Sequence, residues 1–236
     1  MDHEITENST WRSLRMYLRE KNTPIYELDD VWYEAFELFQ KRLDNKFFNP
    51  IAKIIREKQL KGEGFAIVTV QCALIESLAS FKEGKIFVYP KPRTPAHYEY
   101  WESGKMFIKF LHDEEIFKDN FWCMEKGLKV KDKPFSATEF YKNIRCGLMH
   151  EARTKSDWTI NATKKKVKTE TVFLENRKSK KAVLRSVLHY RLKEYVKQYV
   201  LELSNPQNVD LRKNFARKLD NLYDLPRDNG FDWWRS

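Results

Sequence analysis

Residues 62–84, GEGFAIVTVQCALIESLASFKEG, constrain the fold more than any other part of the chain. Almost every position from 65 to 81 is apolar, and a helix that is apolar on all sides belongs in a core. The run AIVTV is also compatible with the start of a strand, but the length of the segment and the Ala, Leu and Glu content of its second half favour a helix. We therefore predict a central buried helix that ends at Gly84.

The remaining pattern is also mainly helical. Seven glycines and eight prolines are few for 236 residues, which favours long helices over a turn-rich sheet. Ser136 and Glu139 have the spacing of a capping box and predict that a helix begins there. A long helix is expected from about Lys181, and another amphipathic helix follows Pro206.

Two short segments alternate between apolar and polar residues as strands do. They are WTINAT and VKTETVFL, and they predict a small β-hairpin within residues 157–175. We expect one domain over residues 1–236, with a helical core at 29–205 and a helical C-terminal extension at 206–236. The predicted fold class is mainly α, a helical bundle with a small β-hairpin insertion and an additional C-terminal helix.

The formal net charge of +10 makes polyanions, and nucleic acid above all, attractive partners. A solvated basic surface explains the same charge equally well. Cys72, Cys123 and Cys146 show no CxxC spacing, so reduced thiols in the cytoplasm are the simple expectation. The polar start MDHEITENST does not resemble a signal peptide, and no apolar run approaches the ~20 residues of a membrane span. We expect a cytoplasmic protein that does not bind a membrane.

The segment FYKNIRCGLMHEARTKSDW contains Arg145 and His150, a permanent cation and a titratable imidazole. Five positions on an α-helix rotate by about 500°, so the two side chains lie about 140° apart with a rise of about 7.5 Å. Two copies of the chain related by a two-fold axis would bring both residues to one cleft. Unwinding of the helix near Glu151 would bring the pair closer within one chain.

Two other residues are candidates for supporting this pair. Gly147 lies inside the predicted helix, where glycine costs about 1 kcal/mol relative to alanine, and such a glycine often marks the close approach of another backbone. Glu76 lies in the apolar helix and requires a partner if it is buried. An ion pair between helices, or a position at the rim of the core, is the structural explanation for Glu76.

Imidazole and guanidinium together suit the cleavage of a phosphodiester. Imidazole transfers protons near neutral pH, and guanidinium holds phosphate oxygens as negative charge builds on them. A base that deprotonates the 2′-hydroxyl of RNA makes that oxygen attack its own phosphorus, and this reaction needs no metal. The alternative is an ion-paired arginine and a histidine that caps a helix end. The consecutive residues His112–Glu115 point in different directions on a helix and are poor metal ligands, so we expect no metal and no cofactor.

The sequence IRCGLMHEA resembles the Arg-(four to six residues)-His motif of HEPN domains, and the order of a buried helix, a motif helix and a long closing helix is also similar. HEPN proteins are α-helical bundles that commonly dimerise, and many are metal-independent endoribonucleases of toxin and phage-defence systems. The resemblance implies that Arg145 and His150 are the catalytic pair, repeated in a homodimer. It departs from the family at Cys146, where HEPN proteins often have Asn, Asp or His after the arginine.

The cations that follow the motif are candidates for phosphate contacts in RNA binding. A solvated loop is the equal alternative for the three consecutive lysines. The full set of candidates is Arg145 and His150 as catalytic residues, Glu76, Cys146, Gly147 and Glu151 as supporting residues, and Arg153, Lys155, Lys164, Lys165 and Lys166 for RNA.

Three functional hypotheses follow. The first is a dimeric endoribonuclease of defence or growth control, restrained by an antitoxin or another partner. The second is a non-catalytic HEPN-type module that binds RNA, a nucleotide or a protein. The third is a subunit of a larger defence complex, in which Trp233 and Trp234 lie in an interface; docking of these two tryptophans on the body of the chain itself is the simpler expectation.

Overall fold

The structure is a computed structural model, and the described part of the chain is mainly helical, as predicted. The residues that it describes are 2–22, 24–28, 30–57, 62–122, 124–125, 128–129, 135–162, 167, 169–177 and 179–235. The α-helices are α1 (Asp2–Glu20), α2 (Asp30–Leu43), α3 (Asn49–Glu57), α4 (Glu63–Glu83), α5 (Ser103–Asp113), α6 (Glu115–Lys118), α7 (Ala137–Phe140), α8 (Cys146–Glu151), α9 (Arg185–Leu203) and α10 (Val209–Leu222).

Short irregular turns and strands connect the helices. The π-helical turns Asp44–Phe48 and Tyr141–Arg145 join α2 to α3 and α7 to α8, and a 3-10 turn covers Asp232–Trp234. The strands are β1 (Ile86–Phe87), β2 (Glu99–Tyr100), β3 (Met124–Glu125), β4 (Leu128–Lys129), β5 (Trp158–Asn161), β6 (Leu174–Arg177) and β7 (Lys180–Leu184). Strands β1 and β2 pair in parallel, and β3 and β4 pair antiparallel.

The predicted hairpin has the wrong partners. Strand β5 does not pair with β6; instead β7 lies between them, parallel to β5 and antiparallel to β6. The hairpin is therefore β6–β7, and α9 begins at Arg185 rather than near Lys181. Burial explains why β7 takes the central position. A central strand is covered by a neighbour on each side, and the apolar residues Ala182, Val183 and Leu184 of β7 are completely buried.

Helix α4 confirms the helical interpretation of residues 62–84, and it ends at Gly84 with φ +61°. Its burial is incomplete, because Phe65 and Ala73 are exposed. Among the described residues α4 alone is long and apolar enough to cross a membrane, by length and composition only. Most of its apolar stretch is buried inside the protein, as in the core helix of a soluble protein.

The chain forms two compact units. The first consists of Met1–Asp44, Leu78–Trp101 and Val196–Ser236, and the second of Asn45–Ser77 and Glu102–Tyr195. In the first unit, Phe39 lies at the centre of an aromatic core, with ring centroids 4.7 Å from Phe81, 5.4 Å from Phe215 and 5.9 Å from Tyr199. In the second unit, Phe140 packs against Phe107, Phe121, Trp158 and Phe173.

The C-terminal tail docks on the body of the first unit. The buried carboxylate of Asp220 accepts hydrogen bonds from the indole N–H groups of Trp11 (3.0 Å), Trp233 (2.8 Å) and Trp234 (2.7 Å). The guanidinium of Arg15 lies 3.1 Å from the same carboxylate and balances its charge. Trp233 and Trp234 are therefore covered by this chain itself, and the hypothesis that they form an external interface is wrong for this conformation.

Candidate active site on the motif helix

The motif helix begins as the sequence predicts. The hydroxyl of Ser136 accepts a hydrogen bond from the backbone N–H of Glu139 at 3.0 Å, and the Glu139 carboxylate accepts one from the Ser136 N–H at 3.2 Å. This capping box satisfies N–H groups that the first turn of a helix leaves without partners. It fixes the start of α7 and therefore the register of the residues that follow.

A π-helical turn, Tyr141–Arg145, then interrupts the regular helix. Such turns are rare and are frequently found at functional sites. Arg145 is the last residue of this turn, and α8 continues from Cys146. The wider turn changes the direction of Arg145 relative to α7, which the assumption of a regular α-helix had missed.

The guanidinium of Arg145 pairs with Glu76 on α4. The distance from Arg145 Nη2 to Glu76 Oε2 is 2.9 Å, and the two side chains are 16% and 22% exposed. The expectation that Glu76 has an ion-pair partner on another helix is thus confirmed. The guanidinium also lies 5.5 Å from the centroid of the Tyr141 ring, a cation–π contact four residues earlier in the motif.

This environment keeps Arg145 charged. Burial acts to lower the pKa of Arg145, but the hydrogen bond that Arg145 donates to Glu76, together with the negative charge of Glu76, outweighs burial and raises that pKa. A guanidinium has five N–H donors, and Glu76 accepts from one of them at 2.9 Å. The contact with Glu76 thus orients the Arg145 guanidinium while using one of its five N–H donors.

Two further side chains next to Arg145 were not among the predicted supporting residues. Burial raises the pKa of the Cys72 thiol to about 12, although the charge of Arg145 opposes this, so Cys72 is a neutral thiol and not a nucleophile. Burial also raises the pKa of Tyr141, whose ring packs 5.3 Å from that of Phe107. Helical spacing was the available signal, because Cys72 precedes Glu76 by four residues and Tyr141 precedes Arg145 by four.

His150 lies on the exposed surface in the last turn of α8. The helix is regular through Glu151 and ends at Ala152, which has a left-handed backbone with φ 52°. The last residue of the helix is thus Glu151, close to the predicted position, but His150 itself keeps a helical backbone. Arg145 immediately precedes α8 and His150 lies in its last turn, so about 7.5 Å of helical rise separates the two backbone positions.

Gly147 confirms the predicted close approach of a second backbone. After Ala152 the chain returns along α8, and the N–H of Lys155 donates to the carbonyl of Asn143 at 2.9 Å. A Cβ atom on Gly147 would lie 2.5 Å from the carbonyl oxygen of Arg153. Only glycine fits here without a backbone shift, so Gly147 holds the returning segment against the motif helix.

Glu151, Arg153 and Lys155 form a surface cluster near His150. The Glu151 carboxylate is 2.5 Å from Lys155 Nζ and 2.8 Å from Arg153 Nη2. The hydrogen bonds from Lys155, and then those from Arg153, lower the pKa of Glu151. The two candidate RNA-binding cations are therefore held side by side, but one carboxylate already balances part of their charge.

The structure gives less information on the remaining candidate residues. Cys146 is half-buried at the start of α8. Lys164, Lys165 and Lys166 lie outside the described residues. His112 bonds to Asp113 through Nδ1 at 2.9 Å, and the described part of the chain contains no group of three or more His, Cys, Asp or Glu side chains that could hold a metal ion.

Comparison with known proteins identifies no relative of this chain. No protein-family model matches the chain, and neither the curated proteins nor the solved structures contain a significant match.

Proposed function

We propose that this protein is a HEPN-type, metal-independent endoribonuclease of the cytoplasm, acting in phage defence or growth control. The observation that supports it best is the Arg145–Glu76 pair, with an N–O distance of 2.9 Å. Arg145 ends a π-helical turn, and an exposed His150 follows five residues later in α8. A held cation and an accessible imidazole are the two groups that this chemistry requires.

The proposed reaction uses Arg145 of one copy and His150 of a second copy. The imidazole takes the proton of a ribose 2′-hydroxyl, and the 2′-oxygen attacks the adjacent phosphorus. The bond from phosphorus to the 5′-oxygen breaks, and the leaving oxygen receives a proton, which gives a 2′,3′-cyclic phosphate and a 5′-hydroxyl. Arg145 stabilises the negative charge that builds on the phosphate oxygens.

The positions of Arg145 and His150 at either end of α8 support a homodimer. On a regular helix the two side chains would diverge by about 140°, so the proposal has two copies present them to one phosphate. Two antiparallel motif helices related by a two-fold axis present the arginine of each next to the histidine of the other. Arg153 and Lys155 would then flank the bound strand and contact its phosphates.

The test is incubation with RNA in EDTA. We expect the wild type to cut RNA and His150→Ala to lose at least about 100-fold in rate, the usual contribution of a general acid or base. His112→Ala, which removes another histidine that is partly exposed, is the matched control and should cut like the wild type. Equal cutting by the His150→Ala variant would remove this histidine from the mechanism.

A non-catalytic module that binds RNA, a nucleotide or a protein is the second candidate. The specific observation in its favour is the charge balance at the motif, because Glu76 pairs with Arg145 and Glu151 pairs with both Arg153 and Lys155. It predicts polyanion binding without cleavage in any preparation. Binding to phosphates should weaken as salt rises, whereas a response that is independent of salt would indicate a protein partner, such as an antitoxin or a defence-complex subunit.

A further inference from the structure

A cleft of about 420 Å³ lies in the first unit, beside the C-terminal end of α4. Four separate segments form its walls: the end of α4 with the residues just after it, the segment that precedes β2, α10, and the C-terminal tail at Arg235. Three cations, Lys85, Lys213 and Arg217, line the cleft together with the carboxylates of Glu83 and Asp210. A fourth, Arg235, is already ion-paired with Asp232 at 3.1 Å. None of these residues belongs to the Arg–His motif, so the cleft requires an explanation of its own.

Helix α10 supplies one wall through a single face. Asp210, Lys213, Asn214 and Arg217 follow one another at intervals of three, one and three residues, which places them on the same side of a helix. The side-chain amide of Asn214 donates to the carbonyl of Lys82 at 3.0 Å. This contact fixes the face of α10 against the end of α4.

Arg217 is a nearly buried cation without an acidic partner. Its side chain donates to the carbonyl oxygens of Trp233 (2.8 Å) and Gly84 (3.3 Å) and to the amide oxygen of Asn214 (3.3 Å), and the residue is 6% exposed. Within the described part of the chain, no carboxylate forms an ion pair with it. Carbonyls near the C-terminal end of a helix partly compensate a positive charge, but they do not cancel it.

The opposite wall is also electropositive. Lys85 Nζ donates to the carbonyl oxygen of His97, and none of the carboxylates that the structure describes forms an ion pair with Lys85. Burial, and then the charges of Arg217, Lys85 and Arg227, lower the pKa of the His97 imidazole.

On the α10 wall, Lys213 is 4.0 Å from Asp210. The side chain of Asp210 is 97% exposed, so this ion pair is weak.

We propose that this cleft binds a phosphate group, either as free inorganic phosphate or pyrophosphate or as the 5′-phosphate of a ribonucleotide. A compact anion with more than one negative charge matches several convergent cations, and guanidinium with ammonium donors suits its oxygens. A phosphate group also has more acceptor oxygens than a carboxylate, so it can bond to donors from separate walls of the cleft at the same time. The site is independent of the nuclease proposal and does not rest on it.

The first experiment is a calorimetric titration of the full chain with inorganic pyrophosphate. We expect saturable binding that weakens at least about tenfold, or about 1.4 kcal/mol, in Lys85→Gln/Lys213→Gln, because this variant removes two of the cations that would contact the anion. Lys41→Gln, which removes an exposed cation of α2, is the matched control and should bind like the wild type. Arg217 is left intact because it also holds the carbonyls of Trp233 and Gly84.

The second experiment identifies the source of the phosphate. Adenosine 5′-monophosphate binding more tightly than inorganic phosphate would assign the site to nucleotides, and equal binding would assign it to the free anion. No saturable binding by the wild type, equal binding by the Lys85→Gln/Lys213→Gln variant, or adenosine binding as tightly as its monophosphate would overturn the proposal. Cleavage of RNA by the double variant, measured separately, tells this failure apart from failure of the nuclease proposal.

Discussion

The guanidinium of Arg145 and the carboxylate of Glu76 are joined by an N–O contact of 2.9 Å between the motif helix and α4. Glu76 thereby determines where the arginine of the motif lies. The same contact neutralises a carboxylate inside an otherwise apolar segment, so it contributes to both stability and the proposed chemistry.

Glu76→Gln should lower the free energy of unfolding by about 1–3 kcal/mol, because it removes the charged acceptor from a largely buried guanidinium. Urea unfolding measures this loss, with the exposed Glu37→Gln on α2 as the control. Combining Glu76→Gln with Arg145→Gln should cost less than the sum of the two single changes, since the residues are in contact. Additive losses would show that the pair is not energetically coupled.

Gly147→Ala should destabilise the protein by about 1–3 kcal/mol, even though alanine is the better helix former. The new Cβ would lie 2.5 Å from the carbonyl oxygen of Arg153, a backbone atom that cannot simply rotate away. Lys142→Ala, at an exposed position of the adjacent π-helical turn, should change stability little. Thermal or urea unfolding measures both changes in stability. A Gly147→Ala protein that is more stable than wild type would show that the backbone at Arg153 can shift away from the motif helix at little cost.

His189 should make stability depend on pH. Burial, and then the charge of Lys193, lower its pKa from 6.5 to about 4 in the folded protein. Because the unfolded chain binds the proton more tightly, the contribution is complete above about pH 6.5 and is lost as pH falls towards 4, by about 3 kcal/mol. Replacing His189 with Gln should flatten the stability profile in this window, and an unchanged slope between pH 6.5 and 4 would contradict the assignment.

Asp220→Asn should destabilise the first unit by about 3–5 kcal/mol, because it leaves Arg15 without its buried counter-ion and turns an amide donor towards indole donors. Release of the C-terminal tail would expose Trp233 and Trp234 and shift tryptophan fluorescence to longer wavelength. Asp232→Asn, on the exposed side of the same tail, is the control. Fluorescence and unfolding energy like those of wild type would mean that the indole contacts do not hold the tail.

Local signals predicted the helices well. The Ser136–Glu139 capping box and the stop at Gly84 are encoded by a few neighbouring residues, and both are present in the structure. The partner of Glu76 was predicted as a type of contact but not as Arg145, because the two residues are 69 positions apart. Burial requires that such a charge be paired, yet it does not specify the partner.

Non-local pairing and helix irregularity were not predictable in this way. Lys180–Leu184 was assigned to the start of α9, because a buried central strand and a buried helix segment have the same apolar run. The pairing of β5 with β7 depends on contacts across 23 residues of sequence. The π-helical turn at Arg145 has no signature in hydrophobic periodicity or capping residues, although it affects where the arginine points.

The most direct test of the central claim is a mixed dimer of Arg145→Ala and His150→Ala chains, purified through a different tag on each copy. If the arginine of one copy works with the histidine of the other, one of the two sites is intact, and activity on RNA in EDTA should recover to about half that of the wild-type dimer. Each variant alone should remain at least about 100-fold slower than wild type. A mixed dimer as inactive as either variant alone would contradict a site shared between two copies.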